Sequence, residues 1–122
     1  MRNSKLPVPT EEQEQITLFE WAELQSGKYP ELKLLYHVPN GGSRNKAEAA
    51  RLRAAGVKAG VPDLCLPVPR GGYHGLYIEL KRQRGGRKSD LQEEWLTALE
   101  VLGISARCVA AGSLRQKRSC NI

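Results

Sequence analysis

The apolar positions of this chain change period several times, and each change marks an element. Over residues 10–26 they recur at Ile16, Leu18, Phe19, Ala22 and Leu24, a rough helical stripe. Thr10 is placed to cap that helix, acids fill its first turn, and Gly27 ends it. Leu32-Lys33-Leu34-Leu35-Tyr36-His37-Val38 reads as a short strand, stopped by the turn signal Pro39-Asn40-Gly41-Gly42. Residues 45–55 are alanine-rich, carry Lys46, Arg51 and Arg53, and precede Gly56, which predicts a second helix. Residues 61–68 form the second strand. Pro69-Arg70-Gly71-Gly72 then turns the chain into a third, 75–82, paired antiparallel with the second. Ser89 and Gln92 make a capping box for a further helix that buries Leu91, Trp95, Leu99 and Leu102 and stops at Gly103. Residues 104–111 give a fourth strand, and Ser113 is placed to cap a short terminal helix. The order αβαββαβ predicts an α/β or α+β sandwich around a small mixed sheet flanked by helices.

At 122 residues, with 40% hydrophobic content, the chain has room for one domain with its own core. The expected division is a flexible lead-in at 1–9, a domain at 10–112 and a basic tail at 113–122. No stretch approaches the roughly 18–20 apolar residues of a membrane span. The opening residues lack the apolar core of a secretory signal, so the expected compartment is the cytoplasm. The three cysteines, Cys65, Cys108 and Cys120, are isolated and odd in number, which argues against a zinc site or a disulfide framework. A formal net charge of +6 favours polyanionic partners. The cations are grouped: Lys81, Arg82, Arg84, Arg87 and Lys88 follow the third strand, and Arg115, Lys117 and Arg118 lie near the end, either as a binding patch or as a solvated tail.

The third strand holds the chemistry. Alternation sends Leu76, Ile78 and Leu80 to one face and Tyr77, Glu79 and Lys81 to the other. Alone, Glu79 and Lys81 read as an ion pair on a wet face. Asp63 adds a second reading, because a hairpin of strands two and three lets it lie beside Glu79. Two carboxylates held close repel one another unless a cation sits between them, and oxygen ligation of this kind suits Mg²⁺ or Mn²⁺. Such an ion activates water and neutralises charge on a phosphate. Asp63 also reads as a plain turn or strand-cap residue.

Pro62-Asp63 followed by Glu79-Leu80-Lys81 resembles the PD-(D/E)xK nuclease signature in order and strand context. The stretches Val38-Pro39-Asn40-Gly41-Gly42, Gly60-Val61-Pro62-Asp63-Leu64, Gly75-Leu76-Tyr77-Ile78-Glu79-Leu80-Lys81 and Ser89-Asp90-Leu91-Gln92-Glu93-Glu94-Trp95 resemble, more narrowly, the virus-type replication-repair nuclease (VRR-NUC) domain. So does the opening Glu11-Glu12-Gln13-Glu14-Gln15. The resemblance covers residues 10–112 and implies a restriction-endonuclease-like fold and a metal-dependent phosphodiesterase. It implies Asp63, Glu79 and the Leu80 carbonyl as metal ligands, and Lys81 as the residue serving the nucleophilic water. A first-helix acid would join them: Glu11, one turn from Gln15 on a shared face, with Glu12 and Glu14 as alternatives in register. Asn40, Gly41, Gly42, Arg44, Arg82, Arg84, Arg87, Lys88 and Gln92 are candidates for contact with DNA, although Gln92 equally reads as a capping side chain. The implied protein is a homodimeric, structure-selective endodeoxyribonuclease of bacterial or phage type, acting on branched DNA such as Holliday junctions or flaps. It would use Mg²⁺ or Mn²⁺ and no nucleotide cofactor or membrane. The competing class is a non-catalytic DNA-binding protein that retains the fold.

Overall fold

The computed structural model describes residues 10–39, 45–81 and 89–110. Helix α1 (Glu11–Gln25) starts at Thr10, whose hydroxyl accepts the Gln13 amide at 3.0 Å while the Gln13 side chain accepts the Thr10 amide at 2.9 Å. This reciprocal box satisfies two of the amide donors that a helix N-terminus otherwise leaves open. The buried line of α1 is Glu14, Leu18 and Ala22. That corrects the expected stripe, since Ile16 and Leu24 are exposed. Ile16 stands two residues from Leu18, about 200° around the helix, and Leu24 stands likewise from Ala22.

The expected first strand is mostly not a strand. Pro30–Leu34 forms a 3-10 helix, started by a proline whose fixed φ suits a first helical position, and it buries Leu32. Strand β1 is only Tyr36–His37. Helix α2 (Lys46–Ala54) is capped by Asn45, whose side-chain oxygen accepts the Ala47 and Glu48 amides at 2.8 and 3.1 Å. None of its residues is buried.

Strands β2 (Leu64–Leu66) and β3 (Leu76–Lys81) pair antiparallel as expected, with Leu64 opposite Ile78, Cys65 opposite Tyr77 and Leu66 opposite Leu76. β1 pairs antiparallel with β2, Tyr36 facing Cys65 and His37 facing Leu64. Helix α3 (Asp90–Val101) and strand β4 (Ser105–Ala110) follow, and the strand order is β1-β2-β3-β4. The His74 amide donates to the Gly103 carbonyl and the Ser105 amide to the Gly75 carbonyl, both at 2.9 Å, so β3 and β4 begin side by side and run the same way. One parallel pair beside two antiparallel ones makes the sheet mixed. The helical crossover through α3 is what a parallel pair requires.

Leu96 and Leu99 form the buried side of α3, whereas Leu91 and Leu102 are exposed and Trp95 is half-buried. The expected buried set is therefore corrected. Gln92, Leu96 and Leu99 fall at i, i+4 and i+7, which is one helix face, and Leu91 lies beside that face.

The chain divides into two units. One holds α1 with the chain to Lys33, the end of β3 from Leu80 and the end of β4 from Cys108; its buried residues include Glu14, Leu18, Ala22, Leu32 and Leu80. The other runs Leu34–Glu79 and resumes through α3 to Arg107, with Leu64, Cys65, Leu66, Ile78, Leu96 and Leu99 in its interior. Cys65 and Cys108 form no disulfide among the described residues, and the first is buried and the second half-buried. Among the described residues, no helix is long and apolar enough to cross a membrane. The expected lead-in at 1–9, the short terminal helix at Ser113 and the basic tail lie outside the described residues.

Candidate metal centre

β2 and β3 keep one register over three residue pairs. Carried one residue beyond the ladder, it sets Asp63 across from Glu79. Directly opposite residues of an antiparallel pair share a sheet face, so both carboxylates stand on the same side. The two expected acids are thus brought together by backbone pairing alone. β3 is continuous to Lys81, and its alternation puts Tyr77, Glu79 and Lys81 on one face. Glu79 is 3% exposed, while Asp63 and Lys81 are half-buried.

A carboxylate buried this deeply needs polar company. The Gln92 side-chain amide donates to Glu79 Oε2 at 2.6 Å. Its other end accepts the Ser89 amide at 2.8 Å, and the Gln92 amide donates to the Ser89 hydroxyl at 3.2 Å. The sequence leaves Gln92 as either a cap or a site residue; its side chain caps α3 and also bonds the Glu79 carboxylate. Glu79 Oε1 is buried and receives no hydrogen bond among the described residues.

The backbone around Asp63 is fixed from several sides. Pro62 before it is fully buried. Its own carbonyl accepts the Val38 amide at 2.7 Å and faces Nδ1 of His37 at 3.1 Å. Three residues earlier, Gly60 holds φ at +92°, and a Cβ there would come within 2.8 Å of the Leu91 Cβ and 2.9 Å of its backbone carbon. The absent side chain seats the first turn of α3, which carries Gln92, directly on the segment that leads to Asp63.

Beside the carboxylate row lies a second cross-strand row on the same face, Tyr36, Cys65 and Tyr77. The Tyr36 hydroxyl is pushed up to about 12, first by its hydrogen bond with Cys65 and then by charge on that thiol. Tyr77 is raised by burial first and by Cys65 second. Both phenols are held in the neutral form.

Of the first-helix candidates, Glu11 and Glu12 are exposed, Gln15 is half-buried and Glu14 is 4% exposed. The burial of Glu14 was legible in the sequence as a line running back from Ala22 through Leu18, four residues at a step. The contacts of His37 with the Asp63 carbonyl and of Tyr36 with Cys65 were not legible in the sequence, because each is set by cross-strand pairing. Asn40, Gly41, Gly42, Arg44, Arg82, Arg84, Arg87 and Lys88 lie outside the described residues.

The two carboxylates offer oxygen donors, which fit a hard divalent cation. Among the described residues, no group of three or more His, Cys, Asp and Glu side chains is gathered as a metal cage.

The sequence profile of the VRR-NUC domain matches residues 9–111. A solved structure titled "VRR_NUC domain protein" is similar over 92% of this chain and 89% of its own, with 32% sequence identity and a TM-score of 0.75. No curated protein matches the chain.

Proposed function

The chain belongs to the VRR-NUC family, a family of nucleases, and from that membership we propose that it is a metal-dependent endodeoxyribonuclease acting on branched DNA. The observation that carries the proposal is the Asp63–Glu79 pair, set on one sheet face by the β2–β3 register. In this reading Asp63, Glu79 and the Leu80 carbonyl hold Mg²⁺ or Mn²⁺. When bound, the ion lowers the pKa of a coordinated water and offsets charge developing on the phosphate. Lys81 orients that water or stabilises the phosphate charge. Gln92 holds the Glu79 carboxylate through the 2.6 Å hydrogen bond. A first-helix acid completes the proposed set, Glu11 with Gln15 on its face, or Glu12 or Glu14 in a shifted register.

DNA is the partner to which a nuclease family points, and a net charge of +6 suits it. Preference for four-way junctions or flaps, and a homodimer that joins two weak surfaces into one of higher avidity, are parts of the proposal. The basic residues 82, 84, 87 and 88, Arg44 and the turn at 40–42 are proposed contacts to the phosphate backbone.

The test is cleavage of four-way, flap and linear duplex DNA in Mg²⁺, Mn²⁺ or EDTA by wild type, Asp63→Ala and Lys81→Ala. The expected result is cut branched DNA with either ion, none in EDTA, and none from the Asp63 variant. Cleavage that survives EDTA or the Asp63 change overturns the metal mechanism. Binding without cleavage under every ion supports the non-catalytic class instead.

A further inference from the structure

We propose that His37 is a positioning residue for the metal centre, clamping the Asp63 main chain so that its carboxylate stays opposite Glu79. The inference rests on the metal reading above, and its observations are independent of any motif. β1 has only two residues, and its pairing with β2 ends with His37 opposite Leu64. Asp63 therefore sits where the ladder runs out on both sides, one residue beyond β1–β2 and one beyond β2–β3. Two donors hold the peptide plane at that end of the ladder. The Val38 amide meets the Asp63 oxygen at 2.7 Å, and the His37 ring meets the same oxygen at 3.1 Å.

The chemistry of that second contact fixes the tautomer. A carbonyl oxygen only accepts, so Nδ1 must carry the hydrogen and donate it. The ring also starts from the wrong side to be a ligand alongside Asp63. His37 is opposite Leu64, so its side chain leaves the sheet on the face away from the carboxylates, and it reaches the carbonyl in the plane between. Its exposure rules out a packing role as the reason for the contact. What it contributes is a second hydrogen bond to the carbonyl that the Val38 amide already holds. Partners of this kind, which orient a ligand without touching the ion, typically change metal affinity by roughly 10–100-fold when removed.

Asparagine separates positioning from mere bulk, because its side-chain N–H lies about as far along the side chain as the histidine Nδ1–H. Mn²⁺ binding to the full chain, without DNA, is read by the loss of free-ion electron paramagnetic resonance signal for wild type, His37→Leu and His37→Asn. Thermal melting accompanies each titration. The expected result is roughly tenfold weaker Mn²⁺ binding for His37→Leu at an unchanged fold, with most of it recovered by His37→Asn. Ring ¹⁵N shifts of the wild type should show Nδ1 protonated. Unchanged Mn²⁺ affinity in His37→Leu overturns the proposal, as does an Nε2-protonated ring or an asparagine variant as weak as the leucine one. Wild-type protein that binds no Mn²⁺ overturns the metal reading and this inference with it, a result distinct from tight binding that ignores residue 37.

Discussion

At the scale of single residues, the side chains around the sheet do more than one job, and that is where sequence reasoning thins out. That Asp63 stands across from Glu79, with Lys81 on the same strand face, was legible because a turn and strand alternation leave few ways to arrange them, whereas a role for them came only with the family resemblance. Gln92 could be read only as alternatives, since nothing local says that a capping amide has its far end on a carboxylate. The double bonding predicts how the two roles come apart. Gln92→Glu keeps an acceptor for the Ser89 amide but sets a second negative charge against Glu79. It should retain the helix by circular dichroism and raise the Mn²⁺ concentration needed for half-maximal cleavage. Gln92→Ala removes a donor to a buried carboxylate and should cost about 1–3 kcal/mol in urea unfolding. The phenol row gives a test that needs no substrate. Because the folded state raises the Tyr36 pKa, its contribution to stability is fully present below pH 10 and is lost as pH rises through about 12. Ultraviolet titration at alkaline pH should show that late midpoint, and Cys65→Ala should bring it down toward the ordinary value of 10.0.

Elements were more readable than residues, but unevenly. The β2–β3 hairpin came out in the right pairing because Pro69-Arg70-Gly71-Gly72 forces a reversal and both flanks are apolar. The first strand did not, because Leu32, Leu34 and Leu35 alternate well enough for a strand while Pro30 commits the chain to a 3-10 turn. In α1 and α3 the apolar pattern located the helix and misjudged its face. The reason is shared: each buried line begins with a polar residue, Glu14 in α1 and Gln92 at the half-buried head of the α3 face, and hydrophobicity alone passes over both. Capping was readable at Thr10 and in the Ser89–Gln92 box, while the reciprocal bond from Gln13 to the Thr10 amide went unread. Ser89→Ala removes the acceptor of the Gln92 amide at 3.2 Å and should destabilise by about 1 kcal/mol in denaturant, with a parallel rise in metal requirement.

For the molecule as a whole, net charge and a small domain set the terms of binding. Affinity for any DNA should fall steeply with salt, log K dropping linearly against log salt, and sedimentation should show a dimer at micromolar concentration. A monomer there counts against the paired-surface part of the proposal while leaving the chemistry intact. One further expectation concerns how the protein tolerates change. Gly60 bears no functional group, yet the segment leading to Asp63 and the helix that carries Gln92 meet in the space where its side chain would be. Gly60→Ala should therefore cost about 1–3 kcal/mol by overpacking, whereas Gly27→Ala, with open space around it, should stay within about 0.5 kcal/mol in the same melts. In a saturation screen for nuclease activity, position 60 would then score with the acids themselves. Lineages that diverge in substrate would be free to rewrite loops and surface charge, but this seat would have to stay bare.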